Sequence, residues 1–323
     1  MNNLVVYGTR PEEIKLYPFT KLPGYTFCEI DQSKDLHQGL INPDIKLDDK
    51  DDNFKTLMVM NKWDHVIVQG DTRTAFKAAL AAFHAQIPVA HVEAGLRTWN
   101  LDHPFPEEGY RRMIDAIATH HFCPTIDAYN ELAIPNGQVV GNTAIDTLLD
   151  FTSDPVEGKN ILITIHRNEA DVEPITNAIK KIIKYYPGLD FVFLAHPNKV
   201  SQFVASKLKR TRAVVVEAPN YKKFINMLAR SYAVVTDSGG LQEEAPSLNK
   251  PVLVARETTE REEGIEAGCA ILGGMSEDSL ISGFNKMIGR YHQMAAAPNP
   301  YGDGKAAERI HEALSGCNNP NFK

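Results

Sequence analysis

The chain has 323 residues, 43% of them hydrophobic and 23% charged, with a formal net charge of −7. That length accommodates two α/β domains with substantial cores. The negative balance gives no ground for nucleic-acid or anionic-membrane binding, although local arginines and lysines can still hold an anionic ligand.

No run approaches the roughly 20 apolar residues of a membrane span. The opening MNNLVVYGTR lacks the basic stretch of a signal peptide, so a cytoplasmic protein is expected. Cys28, Cys123, Cys269 and Cys317 stand far apart without a CxxC pair, which suits reduced thiols.

In chain order, strand-like runs fall at Leu4–Tyr7, Tyr25–Ile30, His65–Gln69, Pro88–Val92, His121–Cys123 and Gln138–Val140. Six more follow at Ile161–Thr164, Phe191–Ala195, Ala213–Glu217, Ala233–Thr236, Val252–Ala255 and Ala270–Leu272. Helical patterns such as Thr74–Ala85, Val172–Tyr185 and Tyr221–Arg230 lie between them. This alternation predicts parallel sheets covered by helices on both faces. Six strands and then six more predict two similar doubly wound domains, with an interdomain cleft lined by strand C-terminal ends. The boundary is expected in the polar Phe151–Asn160, giving domains 1–150 and 151–292. The C-terminal segment, about 293–323, is expected to rejoin the first domain through a helix over Gly304–Ser315. The acidic run Asp48–Asp52 reads as a solvated loop.

The chemistry concentrates at strand exits. Asp71 follows the third strand, Glu93 the fourth, and Glu107 opens a helix shortly after. Three acids converging on one crevice, without metal-ligand His/Cys spacing, are a layout for moving protons. The first strand runs into Gly8-Thr9-Arg10-Pro11 and on to Lys15. Arg10 and Lys15 beside that helix start could hold an anion, while an ordinary surface pair of Lys15 with Glu12 is the plainer reading. His166 and His196 each follow a strand of the second half and could serve as acid/base or phosphate donors. Ser238-Gly239-Gly240 between a strand and a helix lets backbone N–H groups approach a phosphate. Glu243 or Glu244 could then accept ribose hydroxyls, and Arg256 and Arg261 add cationic reach. Neither GxGxxG after the first strand nor GxxxxGK[ST] occurs, which disfavours nicotinamide dehydrogenases and P-loop NTPases.

At these residues the chain resembles the non-hydrolysing UDP-N-acetylglucosamine 2-epimerases. The matching blocks are GTRPEEIK, VQGDTRTA, HVEAGLRT, PFPEE, GNTAIDTLL, ITIHRNE, AHPN and TDSGGLQEEAPSLNKPVLV followed by ETTER, in order from Gly8 to Arg261. The resemblance implies two Rossmann-like domains of the glycosyltransferase-B type, homodimers, and no metal or nicotinamide cofactor. It implies interconversion of UDP-GlcNAc and UDP-ManNAc through C2 proton removal, loss of UDP to give 2-acetamidoglucal, and re-addition. Asp71, Glu93 and Glu107 match the proton-transfer acids, and His166 matches the histidine that meets the leaving phosphates. Arg10, Lys15 and Arg261 match substrate-site positions, Ser238, Gly239 and Gly240 the diphosphate turn, and Glu244 the ribose acid.

Three departures stand out. Gln32-Ser33 replaces the Gln-His of the family's activator segment, so allosteric activation by a second UDP-GlcNAc is expected to be weak or absent. Tyr110 stands where Asn is usual and Glu262 where Pro is usual, and the chain is some tens of residues shorter than typical members. The competing readings are a hydrolysing 2-epimerase that releases ManNAc, a glycosyltransferase on the same fold, and a nucleotide-sugar binder without turnover. Fold alone does not separate them.

Overall fold

The structure, a computed structural model, describes residues 1–31, 39–132, 134–135, 137–152, 158–167 and 172–316. Gln32 and Ser33, which carry the expectation about activation, lie outside these residues, as does Cys317. The chain divides into two compact units: Met1–Leu149 with the described part of Tyr301–Lys323, and Asp150–Pro300.

The first unit holds β1 (Asn3–Tyr7), β2 (Tyr25–Asp31), β3 (Ile45–Asp48), β4 (His65–Gln69), β5 (Val89–Val92), β6 (His120–Cys123) and β7 (Gly137–Val139). They form one parallel sheet in the order β3-β2-β1-β4-β5-β6-β7. Seven strands stand where six were expected. The extra one, β3, is a short edge strand of Ile-Lys-Leu-Asp with only half-buried or exposed residues, so it lacks the apolar run that marks the others. The acidic run beyond it is not all loop. Asp48 ends β3, Asp51 and Asp52 open the helix Asp51–Val59, where carboxylates suit the helix dipole, and Asp49 pairs with Lys77 at 2.9 Å.

Side chains alternate across the sheet. Leu4 and Val6 pack with Val66, Val68 and the alanines of the helix Arg73–His84. Val5 and Tyr7 point the other way, to Phe19, Ile67 and Phe122. That second face also takes Ala307, Ile310 and Leu314 of the C-terminal helix Ala306–Gly316. The helix is tied down at its start, where Asp146 accepts the N–H groups of Ala306 at 3.1 Å and Ala307 at 2.7 Å.

The second unit holds β8 (Asn160–Thr164), β9 (Asp190–Ala195), β10 (Val214–Glu217), β11 (Ser231–Thr236), β12 (Val252–Val254) and β13 (Ala270–Leu272). They form a parallel sheet ordered β10-β9-β8-β11-β12-β13. Both sheets run outward in two directions from a central pair, β1/β4 in the first and β8/β11 in the second. Ligands of open α/β sheets bind beyond the strand C-termini at such reversals. Among the described residues no helix is long and apolar enough to cross a membrane.

Burial pushes the Asp146 carboxyl up to about 6, outweighing the two N–H groups that hold its ionised form. The folded state therefore binds this proton more tightly than the unfolded chain, and its contribution favours folding at acid pH and fades as pH rises. The stability of the wild type relative to Asp146→Asn should fall as pH rises from about 3.8 through about 6. Urea unfolding across that range checks it; a constant or rising difference contradicts the assignment.

Candidate functional site

Around the β1/β4 reversal, Gly8 leaves β1 against the helix Arg73–His84, and a Cβ there would lie 2.4 Å from Thr74 Oγ1. Glu12 is fully buried and accepts from the Gly8 N–H at 2.9 Å and from the Thr72 hydroxyl, which ties the β1 exit to the β4 exit. Arg10 opens the helix Arg10–Leu16, and its guanidinium pairs with no described residue. Lys15 does not make a surface pair with Glu12. Its ammonium reaches Glu93 Oε2 at 2.5 Å, with both side chains largely buried.

Glu93 follows β5 in the left-handed region, φ +68°, where a side chain carries strain of about 1–2 kcal/mol. Its Oε2 also accepts from Gln69 Nε2, at the end of β4. A Cβ on Gly70 would lie 3.5 Å from the same oxygen, so the Glu93 carboxylate sits over the residue that precedes Asp71. Asp71 takes Nε of Arg111 at 3.0 Å and its Nη2 on a single oxygen. Glu107 begins the helix Glu107–Ile117, one turn before Arg111. Its carboxylate is half-buried and makes no hydrogen bond or ion pair with a described residue.

Several residues that sequence reasoning passed over organise this site. Glu108 is fully buried and accepts from the N–H groups of Thr98 at 3.0 Å and Trp99 at 3.2 Å. Asp115 is buried between His91 Nδ1 and Arg97 Nη2, each 2.6 Å away. His91 Nε2 faces the Gly70 carbonyl at 2.8 Å. Burial alone would push the His91 imidazolium toward neutrality. The Asp115 charge and hydrogen bond, the Gly70 carbonyl and the Asp71 charge outweigh it, so the pKa stands above the ordinary histidine value. Burial likewise opposes the Asp115 carboxylate, but His91 and Arg97 win and hold its pKa below the usual range. The only available signal was the spacing of Glu107, Arg111 and Asp115 at four-residue intervals along one helix face. Tyr110, the departure from Asn, stacks on Phe76 at 5.1 Å between ring centroids, a packing role.

In the second unit, His166 follows β8 and His196 follows β9, with ring centroids 4.7 Å apart. Thr164 Oγ1 lies between them, 3.2 Å from His166 Nδ1 and 3.5 Å from His196 Nε2. The buried Asp237, just past β11, accepts the N–H groups of His166 and Arg167, both at 2.8 Å. Its other oxygen is 3.2 Å from His166 Nδ1 but closes no well-directed hydrogen bond. The exits of β8 and β11 are thus stapled together.

Ser238 caps the short helix Gly239–Glu244, and its side chain makes no capping bond. Neither Gly239 nor Gly240 has positive φ, so the turn itself does not demand glycine. A Cβ at Gly240 would meet nothing within 4 Å, which leaves the backbone open to approach. Glu244 accepts from the Tyr221 hydroxyl at 3.1 Å, and Glu243 from Arg261 Nε at 2.7 Å. Arg261 also lies 3.2 Å from Glu260, so Glu243, Arg261 and Glu260 form one local network. Among the described residues no three His, Cys, Asp or Glu side chains gather as metal ligands would.

The expected residues divide between the two units. Arg10, Lys15, Asp71, Glu93 and Glu107 belong to the first unit; His166, His196, Ser238, Gly239, Gly240, Glu244 and Arg261 belong to the second. Comparison with known proteins gives the family. The family model described as UDP-N-acetylglucosamine 2-epimerase matches residues 52–315. The UDP-N-acetylglucosamine 2-epimerase of Bacillus subtilis is 40% identical, across 96% of this chain and 94% of its own. That alignment runs over 361 positions against 323 residues here, so this chain lacks residues that its relative has. The Campylobacter jejuni enzyme of the same name is 36% identical across 98% of each chain. The crystal structure of UDP-GlcNAc 2-epimerase from Neisseria meningitidis bound to UDP-GlcNAc superposes with a TM-score of 0.86, at 36% identity, across 98% of this chain and 100% of that one. With a family model over most of its length and relatives of this identity, the chain belongs to the UDP-N-acetylglucosamine 2-epimerase family.

Proposed function

We propose that the protein is a non-hydrolysing epimerase that interconverts UDP-GlcNAc and UDP-ManNAc. The observation that carries this reading is the pairing of strand exits in the first unit. Asp71 and Glu93 end neighbouring strands, with the Glu93 carboxylate lying over Gly70. Glu107 adds a third acid, one helical turn from the arginine that holds Asp71. Glycosyl transfer does not call for proton exchange at C2 by a set of acids, whereas inversion at that carbon does; a hydrolysing 2-epimerase also inverts C2 and differs in that water rather than UDP adds to C1.

In this reading one carboxylate removes the C2 proton. The C1–O bond to UDP breaks, its electron pair leaves with the β-phosphate, and 2-acetamidoglucal remains. A second acid then delivers a proton to the opposite face of C2, and the UDP oxygen re-forms its bond to C1. The N–H groups of Gly239 and Gly240 and the Ser238 hydroxyl take the diphosphate, and Glu244 takes the ribose hydroxyls. His166 and His196, side by side, meet the charge that builds on the leaving phosphate. Arg10, with no partner among the described residues, is free to take an anionic group of the substrate. Lys15 and Arg261 hold Glu93 and Glu243 in place in this structure, and we assign them to the substrate sites through those acids. The Neisseria meningitidis relative bound to UDP-GlcNAc supports the choice of ligand.

Cys28, Cys123 and Cys269 are buried and unpaired, which suits a cytoplasmic protein. We also propose a homodimer. Val59, Phe83 and Met113 stay exposed on helices of the first unit whose other faces are packed, and a second copy would cover them.

Two outcomes follow. Asp71→Asn, Glu93→Gln and Glu107→Gln should each lose turnover by roughly 10²-fold or more and still bind UDP, whereas Ser238→Ala and Glu244→Ala should weaken UDP binding; steady-state rates and calorimetry separate these. A near-normal rate in any acid variant removes that residue from the mechanism. Light scattering in solution should give twice the 35.9 kDa chain mass, and a monomer at micromolar concentration rules the dimer out.

A further inference from the structure

We propose that His91 is a positioning residue for the reaction: a buried imidazolium that fixes the Gly70–Asp71 turn against β5 and supplies positive charge behind Asp71. This inference rests on the reading that Asp71 transfers a proton.

The two ring nitrogens of His91 both face acceptors, Asp115 Oδ1 at 2.6 Å and the Gly70 carbonyl at 2.8 Å. A neutral imidazole carries one N–H, so one of these contacts would set lone pair against lone pair. The side chain is wholly buried, and water does not take up the difference. Only the doubly protonated ring satisfies both partners. The charge is balanced locally. Asp115 faces it from the helix Glu107–Ile117, Arg97 approaches Asp115 from the loop after β5, and Asp71 faces it from the β4 exit. His121 on β6 also lies near, and burial holds that ring toward its neutral form.

The same geometry explains what the charge is for. The Gly70 N–H donates to the Val92 carbonyl at 2.9 Å, and the Gly70 carbonyl accepts from His91. Gly70, at φ +66°, is thereby clamped on both sides of its own residue by β5. The next residue along β4 is Asp71, and the next along β5 after Val92 is Glu93. One histidine therefore sets the spacing of two proposed proton-transfer acids, and it touches neither substrate nor the reacting atoms. Misplacement of a reacting group by about 1 Å can cost roughly 10²-fold in rate.

The test uses the full-length protein. In ¹⁵N spectra of histidine side chains at pH 8, one histidine should show both ring nitrogens protonated, and that signal should vanish in His91→Gln. Asp115→Asn, which keeps the shape and removes the counter-charge, should return the ring to a single proton and serves equally where His91→Gln does not fold. A wild-type spectrum in which every histidine carries one bare nitrogen at pH 8 overturns the proposal. Turnover gives the second readout. His91→Gln should lower kcat by about 10-fold to 100-fold and leave UDP affinity within about twofold. An unchanged kcat, or a loss matched by weaker UDP binding, overturns it. Asp71→Asn measured in parallel separates the two readings: normal turnover there overturns the role of Asp71 and with it the positioning role of His91.

Discussion

A charge leaves water at low cost only when an opposite charge and hydrogen bonds meet it inside, and Asp115 is where that constraint acts in the first unit. Its carboxylate lies buried between His91 and Arg97. Through His91 it reaches the carbonyl of Gly70, and through Arg97 it reaches the loop after β5. One turn earlier on the same helix Arg111 grips Asp71, and Glu108 accepts two N–H groups of the loop at Thr98 and Trp99. The helix Glu107–Ile117 thus turns a charged face inward. Removing any one of these partners would leave the others buried and unmet, a loss of about 3–5 kcal/mol by general experience with such pairs. That interdependence is what holds the β4 and β5 exits in a fixed relation.

Strain marks the same place. Glu93 is a non-glycine residue at positive φ, directly after a strand whose partners fix its course. The backbone conformation points its carboxylate back over Gly70, into contact with Lys15 and Gln69. A relaxed backbone would send it elsewhere, so the unfavourable φ is the geometric reason the Glu93 carboxylate lies over the residue that precedes Asp71. Close by, Gly95 at φ +88° has no room for a side chain, because a Cβ would come within 2.0 Å of the Ala128 carbonyl. The second unit reaches its arrangement with less strain. Asp237 accepts two N–H groups from the β8 exit, which ties together the ends of two already paired central strands beside the Ser-Gly-Gly turn.

Much of this was legible in the residues. The apolar runs located every strand except β3, whose half-exposed Ile-Lys-Leu-Asp carries no such signal. The strand exits singled out Asp71, Glu93, His166 and Ser238, because doubly wound sheets gather their chemistry there. What the sequence did not disclose was pairing across distance. Lys15 looks like a partner for Glu12 at helical spacing, yet Glu12 turns into the core toward Gly8 and Thr72, and Lys15 reaches a residue 78 positions away. His91 sits inside an apolar strand and reads as one more core residue. Asp115 and Arg111 offer only their four-residue spacing along a helix. Their roles appear only when the sheet brings β4, β5 and that helix together.

The most direct test of the account is proton NMR of the purified enzyme with UDP-GlcNAc in D₂O. The account predicts UDP-ManNAc carrying deuterium at C2, since the proton removed by one acid is replaced from solvent through another. UDP-ManNAc that keeps its original C2 proton would contradict proton exchange by the carboxylates, and free ManNAc with one equivalent of UDP would show the hydrolysing reaction instead.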